Sequence, residues 1–119
     1  MKFLLLINYG DAPTPLDQDA WGRLSQDEQH AVYAGYRAVS ETAGVTPAPQ
    51  LQPAQSAITV RVKNGETIRS DGPLAGVHEA FSGYLFYEAD SVDAAVELAS
   101  RIPAAQMGGA VEVRQFLER

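Results

Sequence analysis

Asp71 and His78 are the two side chains in this sequence best suited to passing a proton at neutral pH. They lie in the stretch Ser70-Asp71-Gly72-Pro73-Leu74-Ala75-Gly76-Val77-His78-Glu79. Imidazole is the side chain whose unperturbed pKa falls nearest neutrality. A carboxylate held by a tight Gly-Pro turn is a preorganised partner for it. If the His78 ring faces Asp71, the pair can take a proton from a carbon or oxygen acid and return it, as general acid–base catalysis requires. Each residue also has a plainer reading. Asp before Gly-Pro commonly accepts N–H groups of its own turn, and His78 can be an exposed loop residue or one bonded to Glu79.

A second set of residues could hold a substrate. Tyr9, Tyr36 and Tyr84 offer phenol donors and ring surface to a planar ligand, and Gly72 and Glu79 flank the proposed pair. Tyrosines at strand ends and on helix stripes also serve simply as core. Trp21 reads as a plug over a helix–sheet edge. Arg37, Arg61 and Arg69 could meet a carboxylate, although isolated arginines usually sit in solvent ion pairs. There is no nucleophile elbow, no glycine-rich phosphate loop and no spacing suited to zinc or iron. With two histidines and no cysteine, no metal and no cofactor are expected.

The totals narrow the partners. A chain of 119 residues is one domain, 1–119, with room for a single core. Nine basic residues against fifteen acidic ones give a formal charge of -6. The basic residues are scattered singly, whereas nucleic acids and anionic membranes require them clustered. Neither is expected as a partner. Met1-Lys2-Phe3-Leu4-Leu5-Leu6-Ile7 is too short in its apolar run for a signal sequence, and no Ala-x-Ala site follows. A cytoplasmic location is expected.

The elements that must position these groups follow in order. Phe3 to Ile7 is apolar throughout, as in a strand buried on both faces. Gly10 to Pro15 is a loop. Ser25-Gln26-Asp27-Glu28 is a capping box opening a helix whose stripe is Val32, Tyr36, Val39 and Ala43, with Gly44 as its stop. His30 falls opposite that stripe. Residues 45–56, rich in proline and glutamine, predict an irregular excursion or a lid. Ile58, Val60 and Val62 alternate with polar residues, and Asn64-Gly65 predicts a type I′ turn returning through Glu66 to Ser70. Gly83 to Ala89 is an aromatic-rich strand. Asp90 or Ser91 caps a second helix with Val92, Ala95, Val96, Ala99 and Ile102 on one face and Pro103 at its end. Val111 to Phe116 is the last strand.

If strand 58–63 is an edge addition, the remainder is β-α-β-β-α-β: an α+β, ferredoxin-like plan with an extra hairpin strand. Both helices then cover one face of the sheet. The other face of the apolar first strand would lie open, so a homodimer pairing two sheets face to face is expected.

The same residues carry a resemblance. Met1 to Asp11, Leu51-Gln52-Pro53, Thr59 to Val62 with Asn64-Gly65, Ser70-Asp71-Gly72-Pro73, Gly83-Tyr84, Ala99 to Pro103 and Gly109 to Arg114 together resemble the YCII-related, or DGPF-domain, family. The resemblance spans nearly the whole chain. It implies a dimeric α+β barrel of ferredoxin-like protomers. Relatives in the wider superfamily include a chlorinated-hydroquinone dehalogenase, and others accompany extracytoplasmic-function sigma factors. Similar barrels host muconolactone isomerases and cofactor-free monooxygenases. The sequence departs from the family pattern where Leu74 replaces the usual Phe after Asp-Gly-Pro. It departs again at Gly76-Val77-His78-Glu79, where Glu-Thr-Lys-Glu is usual. The branch with a His–Asp pair carries its histidine on the first helix, where this chain has Tyr33 or Tyr36, so that dyad does not transfer.

Two readings of function follow. One is a small cofactor-free enzyme performing isomerase-, lyase- or dehalogenase-like acid–base chemistry on an aromatic or enol-like molecule, in a cleft between helices and sheet beside Asp71 and His78. The other is a non-catalytic ligand-binding or interaction module. Fold alone does not separate them.

Overall fold

A computed structural model describes residues 1–118. The elements are β1 (Lys2–Asn8), α1 (Gln18–Gly22), α2 (Gln26–Ser40), β2 (Val45–Pro47), β3 (Ile58–Lys63), β4 (Glu66–Asp71), β5 (Gly83–Glu88), α3 (Val92–Ser100), α4 (Pro103–Gln106) and β6 (Ala110–Gln115). β2, β5, β1 and β6 form one antiparallel sheet in that order. With α2 after β1 and α3 after β5, this is the expected ferredoxin-like α+β plan.

The plan is met with a different second strand. It comes from Val45–Pro47, inside the segment that composition marks as irregular, and not from residues 66–70. Val45 pairs opposite Tyr87 and Pro47 opposite Leu85. Proline is tolerated there because β2 is an edge strand, where a missing N–H breaks no inner ladder. Gly44 (φ +91) delivers the chain to this edge, and a Cβ on it would lie 2.5 Å from the Glu88 carbonyl oxygen. β3 and β4 pair only with each other, as a separate two-stranded sheet. Its turn is the one Asn-Gly demands, with φ +52 at Asn64 and +79 at Gly65.

Strand alternation sorts the residues of β1. Phe3, Leu5 and Ile7 are buried under the helices, and Leu4, Leu6 and Asn8 point to the opposite face. Register puts Leu4 between Phe86 and Arg114, and Leu6 between Tyr84 and Glu112. Phe86 also stacks on Phe116, with centroids 6.0 Å apart and planes 18° apart. The uncovered face therefore has an aliphatic and aromatic centre.

On the covered side the core joins Phe3, Leu5, Val39, Leu98 and Ile102. Helix α2 begins as expected: Ser25 Oγ accepts from Glu28 N at 3.1 Å, and Glu28 Oε1 accepts from Ser25 N at 2.9 Å. These bonds hold the Glu28 carboxyl below its ordinary 4.5. A lowered folded-state pKa stabilises the fold at pH above the unfolded value, and that contribution is lost as pH falls through the folded one. Ser25→Ala should cost about 1 kcal/mol in urea unfolding and only weaken that acid-side dependence, because the backbone N–H of residue 25, the larger cause of the lowering, is retained. Val32 and Val39 are buried on α2 and His30 is exposed; the helix ends before Ala43, which is exposed. Helix α3 is rotated from expectation. Ala95, Leu98, Ala99 and Ile102 face the core, while Val92 and Val96 are about half exposed. Helix α3 ends at Ser100, ahead of Pro103, which begins α4 and lies close against Gly35 of α2.

Candidate functional site

The two candidate sets do not meet in one cleft. Tyr9 and Tyr36 lie on the covered side of the sheet, whereas His78 and Glu79 line a groove on its open side.

The covered-side cleft has a volume of about 270 Å³. Its wall joins the end of β1 (Ile7, Tyr9), the stripe of α2 (Tyr33, Tyr36), Trp21 of α1 and Pro47 of β2. Trp21 meets Tyr33 edge to face with centroids 5.3 Å apart. Tyr84 borders the cleft, yet its ring packs edge-on against Phe86 of the open face. Burial raises the phenol pKa of both Tyr9 and Tyr36. For Tyr36 the proximity of Tyr9 adds to the rise, and the Ala104 backbone N–H partly offsets it. Both phenols are therefore protonated donors across the physiological range.

That environment makes a measurable prediction. A phenol whose folded pKa lies above its unfolded 10.0 stabilises the fold fully below pH 10, and the contribution is lost as pH rises beyond it. In an ultraviolet phenolate titration of the five tyrosines, two should ionise late, together with alkaline unfolding. The double variant Tyr9→Phe/Tyr36→Phe should lack the late phase.

The open-side groove has a volume of about 1530 Å³. Its floor is the open face near Leu6, Asn8 and Glu112, and its walls come from residues 51–59, 73–75 and 78–81. Asn8 sets the His78 loop: its Nδ2 donates to the His78 and Ala80 carbonyl oxygens, each at 3.1 Å. That clamp carries the imidazole to the end of β1. His78 Nε2 lies 3.6 Å from Asp11 Oδ1, with the two side chains 71% and 81% exposed. Among the described residues, Asp11 is the carboxylate within ion-pair distance of His78. Asp71 ends β4 opposite Ile58 and is exposed. Gly72 closes the hairpin base: its N–H donates to Ala57 O at 2.7 Å and its carbonyl accepts from Thr59 Oγ1 at 2.8 Å. At φ +104 it occupies backbone space that favours glycine. The turn at Asp71-Gly72 thus has a structural task of its own.

Asn8, which lines the groove, and Asp11, which meets His78, are the residues that the sequence pattern passed over. Their signal was position: Asn8 is the last residue of β1 and Asp11 lies in the turn that follows it. No group of three or more His, Asp or Glu side chains suited to a metal occurs among the described residues. No described helix is long and apolar enough to cross a membrane.

Comparison with known proteins adds the family. The family model of the YCII-related domain matches residues 1–118. An uncharacterised protein of Rhizobium meliloti (strain 1021) is 31% identical over 103 residues, covering 82% of this chain and 83% of its own length. With strand order, helix placement and this full-length match in agreement, the chain belongs to the YCII-related domain family.

Proposed function

We propose that the protein binds a small planar aromatic or enol-like molecule in the Tyr9–Tyr36 cleft. The observation that carries this reading is the pair of partly buried, protonated phenols lining a cavity of about 270 Å³ walled by Trp21, Tyr33 and prolines. A ring would lie against the aromatic wall, and its carbonyl, phenol or enol oxygen would accept from the phenols. The cleft itself offers no group that titrates near neutrality, so it favours holding a ligand over turning it over.

A second reading, acid–base turnover, is favoured by the contact of His78 with Asp11. In it the imidazole takes and returns a substrate proton, and Asp11, rather than Asp71, orients the ring and stabilises the imidazolium.

We also propose that the protein is a homodimer through the open sheet face. Leu4, Leu6, Tyr84, Phe86 and Phe116 form its centre. Lys2 stands opposite Glu88, and Arg114 pairs with Glu112 at 3.3 Å. The charges on this face cancel within an acidic chain, which permits contact with a second copy.

Nuclear magnetic resonance titration with small phenols and cyclic enols tests the choice. Shifts at Tyr9, Tyr33 and Tyr36, weakened about tenfold by loss of each phenol oxygen, support the cleft reading. Shifts confined to His78 and Asp11, with turnover lost in His78→Ala, would replace it with the second.

A further inference from the structure

Beyond its base, where Ile58 and Thr59 line the open-side groove, the β3–β4 hairpin is left uncovered by the described residues. Every residue of β4 is exposed, and β3 leaves Ile58, Val60 and Val62 about 51%, 60% and 68% exposed on one side. Among the described residues, no other element packs substantially against it. An isolated two-stranded hairpin is marginally stable in water, and a row of bare β-branched side chains invites a partner. Beside its base lies the open-side groove of about 1530 Å³, larger than the roughly 300–1,000 Å³ typical of small-molecule pockets. Its size and open form suit a segment of polypeptide.

We infer that each hairpin lies in the open-side groove of a second copy of this chain, so that the His78–Asp11 site is completed by the partner's β3. This rests on the homodimer proposed above and extends it. Continuity supports the assignment, because the groove floor (Leu6, Asn8, Glu112) is part of the open face. Charge supports it too. The hairpin carries Arg61, Lys63 and Arg69 against Glu66 and Asp71, a cationic excess in a chain of net charge -6. The groove has Glu79 and Glu112 against Arg114, and Asp11 lies 3.6 Å from its lining residue His78. A two-fold axis makes the exchange reciprocal. The apolar row Ile58, Val60 and Val62 would then meet Leu74 and Phe81, which are 77% and 49% exposed and line the groove.

The chain has no cysteine, so single thiols report cleanly. Val62→Cys chains and Leu74→Cys chains would be co-expressed with different tags and treated with a short bis-maleimide. Cross-linking between the two kinds of chain, exceeding that within either variant alone, is the expected result. In parallel, Val60→Lys/Val62→Lys should raise the dimer dissociation constant about a hundredfold or more in sedimentation, since burying unpaired ammonium groups is costly. Its circular dichroism should be unchanged, because both positions are exposed within one chain. A dimer that shows no mixed cross-link and is unaffected by the lysines would overturn the hairpin exchange and leave the face-to-face dimer standing. A monomeric wild-type protein would overturn both.

Discussion

Leu98→Ala should remove about 2–5 kcal/mol of folding stability, a large share of the roughly 5–15 kcal/mol typical of a domain. Leu98 is fully buried, as are Leu5 and Ile102. It lies on the inward stripe of α3 and belongs to the core that joins this helix to β1. Truncation removes apolar contacts and leaves a void in a region packed by strand and helix together, where collapse into the gap is restricted. Val96, on the same helix, is 53% exposed, so Val96→Ala should change stability by roughly 0.5 kcal/mol or less. Urea denaturation of the two variants measures the contrast. Equal effects would mean that α3 is rotated toward the stripe read from sequence.

Gly109→Ala should be the most damaging of the glycine substitutions beside the groove. A Cβ there would collide with Asn8 O and lie 2.7 Å from Tyr9 O and 2.8 Å from Ala104 O. All three are backbone atoms, so no side chain can swing aside. The Gly109 N–H also donates to Ala104 O at 2.8 Å, which ties the first turn of α4 to the start of β6. Relief requires moving β1 away from β6 where their ladder ends at Asn8 and Ala110. Overpacking of this kind costs about 1–3 kcal/mol or more. The same displacement would disturb the Asn8 clamp on the His78 loop. Gly65→Ala is the comparison: its φ is +79 but nothing lies within 4 Å of the added Cβ, so only backbone strain of about 1 kcal/mol is expected. Thermal unfolding gives the order, and amide exchange at Ala80 reports whether the loop has loosened.

Local chemistry made part of this fold readable. Asn64-Gly65 predicts its turn because two successive positive φ angles have few other hosts, and Ser25 to Glu28 predicts its helix start because each partner satisfies the other's N–H. Strand β2 was hidden for the opposite reason. Its three residues gain their order from the edge of β5, a partner about forty positions away, and Pro47 argues against any strand when taken alone. The rotation of α3 has a similar origin: Val92 and Val96 are as apolar as Leu98, and tertiary packing chooses between the faces. The site was half legible. Phenols and imidazole were identified as the groups with chemistry to offer, but nearness in sequence suggested Asp71 as partner to His78. The Asn8 amide decides otherwise by drawing the loop to the end of β1. Asp71 instead follows the register of the hairpin.

Strand β1 is a partition one residue thick: Ile7 and Tyr9 bound the cleft on one side, while Leu6 and Asn8 floor the groove on the other. A displacement of this shared wall would reshape both chambers at once. Were both chambers to take ligands, thermodynamic linkage would make any coupling through the wall symmetric: the factor by which occupancy of the cleft altered affinity at the groove would equal the factor by which occupancy of the groove altered affinity at the cleft.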